Sequence, residues 1–170
     1  MNGKLTFKIA LTGILSALAT LAFMIENLFP PLFLPGARMG VSNAFILLAV
    51  LILGGRYGFF VLTVKCLLGS LFSGNISAII YSLPSGAIAL AVEVLLLYLV
   101  KNLSVVAISV CGAVINASLQ NVVFCLVSGT GEYLFYTPYL ALISMVSGVI
   151  IGLAVLFTVK KFPSLLVENK

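Results

Sequence analysis

Six long apolar runs, each closed by a cluster of glycine, proline, asparagine or lysine, set the pattern of this chain. They cover about residues 9–28, 41–53, 57–72, 76–100, 105–127 and 138–159. Runs of this apolarity predict membrane-spanning helices, each needing roughly 20 residues at full length. The second and third are short for a span. Joined through Gly54-Gly55-Arg56 they would make one overlong helix with an arginine at its centre, so two short, partly shielded helices with a tight turn are expected. Pro84-Ser85-Gly86 either kinks the fourth helix or marks a second start after a broken first turn. Ala17-Leu18-Ala19 resembles a cleavage site, but the apolar run continues far enough to span, so a first helix is expected there and not a removed signal.

The sharpest interruption is Pro30–Asn43, PPLFLPGARMGVSN, with three prolines, two glycines, an arginine and an asparagine. Irregular backbone near hydrocarbon is tolerated only where protein shields it or where it lines a wet cavity. This stretch therefore reads as the lid and wall of a binding site, with the other segments forming the bowl.

Composition fixes the class. The 170 residues are 62% hydrophobic and 8% charged, with a mean hydropathy of +1.30, which no soluble domain of this size could bury. An all-α integral membrane protein follows, a single membrane domain over residues 1–170. The net charge of +5 changes the picture only through its placement. With six spans, Lys4, Lys8, Arg56, Lys101, Lys160, Lys161 and Lys170 fall on one side and Arg38 alone on the other. That asymmetry orients a six-transmembrane-helix bundle with N- and C-termini cytoplasmic, multi-pass in a bacterial cytoplasmic membrane, and gives no reason to expect nucleic acid as a partner. Cys66, Cys111 and Cys125 lie inside apolar runs without CxxC spacing and read as small buried hydrophobes. Histidine is absent, and no metal site, cofactor motif, nucleophile–base pair or phosphate-binding loop is legible, so an enzyme is not expected.

The polar residues inside the runs carry the candidate chemistry. Lys65 stands nine residues past Arg56 and Glu93 eight before Lys101, which places both about 12–13 Å from the cytoplasmic turns. Antiparallel neighbours at that depth form either an ion pair that fixes packing or, for Lys65, a ligand contact. Asn116 and Gln120 share one face of the fifth helix, with Asn121 pointing elsewhere. They serve either interhelical hydrogen bonding or a polar cavity, and Arg38, Asn43, Asn75, Tyr81, Tyr133 and Tyr136 accumulate at the same outer level. Helices 2, 4 and 6 start at that level, near Gly40, Ser85 and Thr137. Their positive ends, with Arg38, favour an anionic group on a small-molecule substrate, against which Glu26 and Glu132 weigh. On the first helix Ala10, Gly13 and Ala17 form a small-residue stripe beside Ser16 and Thr20. It serves either packing within the bundle or docking to a partner subunit.

Pro35–Asn43 (PGARMGVSN) resembles the PGxKLGLAN-type segment of small membrane proteins known as heptaprenyl diphosphate synthase component I, or the Gx transporter family. Lys65–Leu71, Gly112–Gln120 and Tyr136–Leu140 are similar to that family in the same order, so the resemblance runs from about Leu5 to Leu156. The family in turn resembles the substrate-binding S components of energy-coupling factor (ECF) transporters. The resemblance implies an outward-facing pocket closed by the loop between helices 1 and 2, and a helix 1 stripe engaging a membrane scaffold subunit coupled to two ATPases. By resemblance Gly13 and Ala17 dock, and Arg38, Asn43, Lys65 and Gln120 line the pocket. Family members commonly carry arginine where Lys65 stands and His-Asn where Asn116-Ala117 stands, so substrate identity does not transfer. The expected function is a non-catalytic membrane binding subunit of an importer for a small vitamin-like or isoprenoid diphosphate-like molecule. The rival is an anchoring subunit of a polyprenyl diphosphate synthase.

Overall fold

The computed structural model describes residues 3–28, 40–100 and 103–162, with side chains from Leu5 onward. Every element among them is helical: α1 (Gly3–Leu28), α2 (Val41–Leu53), α3 (Gly55–Phe72), α4 (Ala78–Leu99), α5 (Val105–Ser128), a 3-10 helix (Gly131–Tyr136) and α6 (Thr137–Lys161). Five α-helices are long and apolar enough to cross a membrane, and the sixth, α2, is a shorter apolar helix. The chain is a six-helix membrane bundle, the class its apolar runs predict.

Local chemistry explains the breaks. At Gly54, φ 103° and ψ 166° turn the chain between α2 and α3 in a backbone region essentially restricted to glycine. The Gly54 N–H donates back to the carbonyls of Ala49 and Val50, closing α2. Pro84 does not stop α4, which runs through it as one helix. The neighbouring Ser85 hydroxyl donates to the Tyr81 carbonyl at 2.6 Å, supplying a side-chain donor beside the position where proline has none. Ser85 thus lies inside α4 and not at its start. Ser104 caps α5 by accepting from Ala107 N at 3.1 Å. Lys160 and Lys161 fall in the last turn of α6, where positive charge is favourable. The 3-10 helix stands where the sequence indicates only a loop.

Neighbour relations run α2–α3–α4–α5–α6 and back to α2, a closed ring, with α1 laid outside against α2 and α3. Eight of the 13 residues of α2 are buried, so it faces protein on most sides. A helix about 20 Å long can therefore sit in a bilayer about 30 Å thick without stranding its ends in lipid. Large apolar side chains such as Leu126, Phe135 and Phe157 turn outward, as a lipid-facing surface requires. Cys111 belongs to that outward surface, whereas Cys66 and Cys125 are buried.

Two helix pairings contrast in how they are made. Between α5 and α6 the backbones touch. A methyl added to Gly148 would stand 2.8 Å from Val110 Cα, and one on Gly152 would stand 2.7 Å from Val106 Cα. With Ser144 one turn earlier, these glycines give the small-residue spacing that lets membrane helices approach closely. The inward face of α1 is instead a ladder of hydroxyls. Thr12, Ser16 and Thr20 donate to the carbonyls of Lys8, Thr12 and Ser16, each at 2.7–2.8 Å. Ala10, Gly13 and Ala17 are exposed, and nothing lies within 4 Å of a methyl placed on Gly13. The small-residue stripe does not pack within the bundle.

Candidate functional site

At the end of the bundle opposite the two terminal helix ends, the ring opens into a cavity of about 310 Å³. This is the small end of the roughly 300–1,000 Å³ typical of small-molecule sites. All six helices contribute to its wall, and its depth runs from Asn75 and Tyr81 at the mouth to Glu93 and Ser109 at the floor. A second, water-sized cavity of about 20 Å³ adjoins it and shares Asn43, Glu93 and Asn116.

The near wall is built where α1 ends and α2 begins. Gly40 takes φ 72°, the left-handed region that suits glycine, and its carbonyl accepts from Asn43 N at 2.8 Å. Ser42 N donates to Glu26 Oε1 at 3.1 Å, so a carboxylate from α1 occupies the positive end of α2. Lys65, 5% exposed, reaches across from α3. Its Nζ donates to Asn43 Oδ1 at 2.8 Å and Ser42 Oγ at 3.2 Å, and lies 5.6 Å from the centre of the Phe23 ring. Lys65 thus holds α1, α2 and α3 together at the cavity wall.

The far wall belongs to α4 and α5. Gln120 Nε2 donates to Ser82 Oγ at 3.1 Å. One turn deeper, Asn116 faces the cavity and engages no described residue in a hydrogen bond. Glu93, 9% exposed, forms the floor and likewise accepts no hydrogen bond from a described residue. Its carboxyl lies directly over Gly112, where any side chain would collide with Oε1. Glycine at position 112 is what gives Glu93 its place. Lys65 and Glu93 line one cavity, as their matched depth indicates, but the hydrogen bonds of Lys65 described above run to α2.

An aromatic chain edges the mouth: Tyr81 stacks edge-on with Phe124 at 6.1 Å, Phe124 with Tyr133 at 5.5 Å, and Tyr133 meets Tyr136 at 6.4 Å.

Of the residues expected to contact a ligand, Asn43, Lys65, Asn75, Tyr81, Asn116 and Gln120 line the cavity. Tyr136 does not. The 3-10 helix carries it to the surface, 44% exposed, with the Tyr133 ring between it and Phe124. Glu132, in the same 3-10 helix, is exposed and also lies off the cavity. Arg38 and the cover over residues 29–39 lie outside the described residues. Asn121 was expected to point elsewhere than Asn116 and Gln120, yet it borders the same cavity. It is buried and donates to the Tyr133 carbonyl and Thr137 Oγ1, both at 2.9 Å, tying α5 to the start of α6. Ser42, Ser82 and Phe23 were not legible as site residues, since serine and phenylalanine in an apolar run carry no signal of direction.

The fold and this hollow define a class: a polytopic α-helical membrane protein with a polar-lined cavity inside its ring. Within that class the sequence model of the family described as heptaprenyl diphosphate synthase component I matches residues 15–158, and the chain belongs to that family. No curated protein and no solved structure matches it.

Proposed function

We propose that this chain is a membrane binding subunit that takes a small molecule into the cavity from the outer face and passes it on through a partner assembly. The observation that carries the reading is the cavity itself: a closed ring of helices keeps Glu93 and Asn116 facing open space inside a membrane bundle. A bundle that needed only to be stable would close that space or hydrogen-bond those groups, since polar groups without a hydrogen-bond partner are costly in low dielectric. The exposed Ala10, Gly13 and Ala17 face of α1 supports a docking surface for a scaffold subunit of the energy-coupling type, with ATPases supplying the energy and this chain doing no chemistry.

The test is co-expression of the full chain with a scaffold and its ATPases, followed by purification through the scaffold. Recovery of the chain in the complex, and its loss with Gly13→Leu, is the expected result. Native mass spectra of the purified chain without any bound small molecule, together with no scaffold association, would overturn the proposal.

The family description favours one second reading, a non-catalytic membrane partner of a heptaprenyl diphosphate synthase. Co-purification with a soluble prenyl synthase, and prenyl transfer that depends on this chain, would select it.

A further inference from the structure

We infer that the molecule held in this cavity carries a basic nitrogen, protonated when bound, which donates to Glu93 and Asn116. The inference rests on the binding role proposed above and names the chemistry of its ligand.

Four features of the cavity lead there. The positive end of α2, the natural seat for a phosphate or carboxylate, is occupied by Glu26, which accepts from Ser42 N at 3.1 Å. Lys65 donates to Ser42 and Asn43 and lies against the Phe23 ring, so these contacts hold it at the near wall, and what reaches Glu93 is its charge and not a hydrogen bond. On the far side Glu93 is more than nine-tenths buried and accepts from no described residue, and Asn116 beside it is likewise without a described partner. Among the described residues, the charged side chains around the cavity are two carboxyls and one ammonium, an excess of acceptors over fixed cations.

A carboxyl kept in such a place is costly unless a donor arrives with the ligand. Gly112 shows that the place is built for it, because α5 carries no side chain where the Glu93 carboxyl lies. An ammonium or amidinium meets the need with charge and N–H groups together. A phosphate at that floor would add acceptors where the Glu93 carboxyl oxygens already find no donor among the described residues. At the mouth, the Tyr81 and Phe124 rings line the cavity, and aromatic rings suit an organic cation passing inward. Diphosphate chemistry therefore does not describe what the floor of this cavity binds.

The test uses the full-length protein in detergent micelles and four probes at equal concentration: benzylammonium, benzyl alcohol, benzoate and inorganic diphosphate. Thermal melting is read for wild type, Glu93→Gln and Glu93→Asp, with native mass spectrometry for co-purifying small molecules. The expected result is stabilisation by benzylammonium alone, with apparent affinity about 30-fold weaker or worse in Glu93→Gln and part of it retained in Glu93→Asp. Without probe, Glu93→Gln is expected to melt at the same temperature or higher, because an unsatisfied carboxyl is removed. Stabilisation by benzoate or diphosphate in place of benzylammonium would leave a binding cavity and overturn the inference. A clear drop in the melting temperature of Glu93→Gln without probe would also overturn it, by making the carboxyl structural. No response to any probe and no co-purifying molecule would overturn the binding role itself along with the inference.

Discussion

The helix α5 has two working faces, and they are built on opposite principles. Toward α6 it meets Gly148 and Gly152 with backbone against backbone, so that not even a methyl fits between them. Toward the cavity it presents Asn116 and Gln120 across open space. In a bilayer, apolar side chains gain nothing by leaving lipid for one another, so close contact must supply the cohesion. The α5–α6 seam provides it, and that frees the other face of the same helix to stay unfilled. Rigidity on one side is the condition for a hollow on the other.

Substitutions sharpen or break that contrast. The largest effect is expected at the seam. Gly152→Val must push Val106 backbone aside and should cost about 3 kcal/mol or more, read as a lowered melting temperature in detergent. Next comes Lys65→Met, which leaves Ser42 and Asn43 without their donor at the cavity wall. A loss of about 1–3 kcal/mol is expected by the same measurement, with Lys65→Arg milder. Gly112→Ala is the informative counterpart of Gly152→Val. The nearest atoms to its methyl belong to the Glu93 side chain and not to backbone, so stability should fall by about 1 kcal/mol or less while small-molecule retention in native mass spectra falls sharply. If Gly112→Ala unfolds the protein instead, the two faces of α5 are not distinct. The smallest effect on folding is expected at Gly13→Leu, where open space surrounds the added side chain, within about 0.5 kcal/mol.

Much of the bundle was legible because membranes impose length and apolarity on a span, and glycine, proline and lysine mark its ends. The turn at Gly54-Gly55 follows from the arginine that a longer helix would have buried. The depth of Lys65 and Glu93 follows from helical rise alone. Direction around a helix was harder to read, because apolar residues surround every polar one and leave no hydrophobic stripe to orient it. Asn121 therefore turned out buried and bonded to Thr137 and the Tyr133 carbonyl, and Cys111 turned out exposed. Tyr136 was displaced from the site by a 3-10 helix whose sequence, GEYLFY, carries no period that marks it. The glycines at 148 and 152 have the spacing of a close helix contact, yet which neighbour they meet depends on topology and not on their own run.

The hydroxyl ladder of α1 has a mechanical consequence. Because Thr12, Ser16 and Thr20 turn their hydrogen bonds back onto their own helix, most of α1 grips α2 and α3 through dispersion alone, with no directional tether to snap. Its far end is different: there Glu26 is latched to the first turn of α2. A rod fastened at one tip and smooth along its shaft is a pivot, and the point about which it would swing lies at the rim of the hollow.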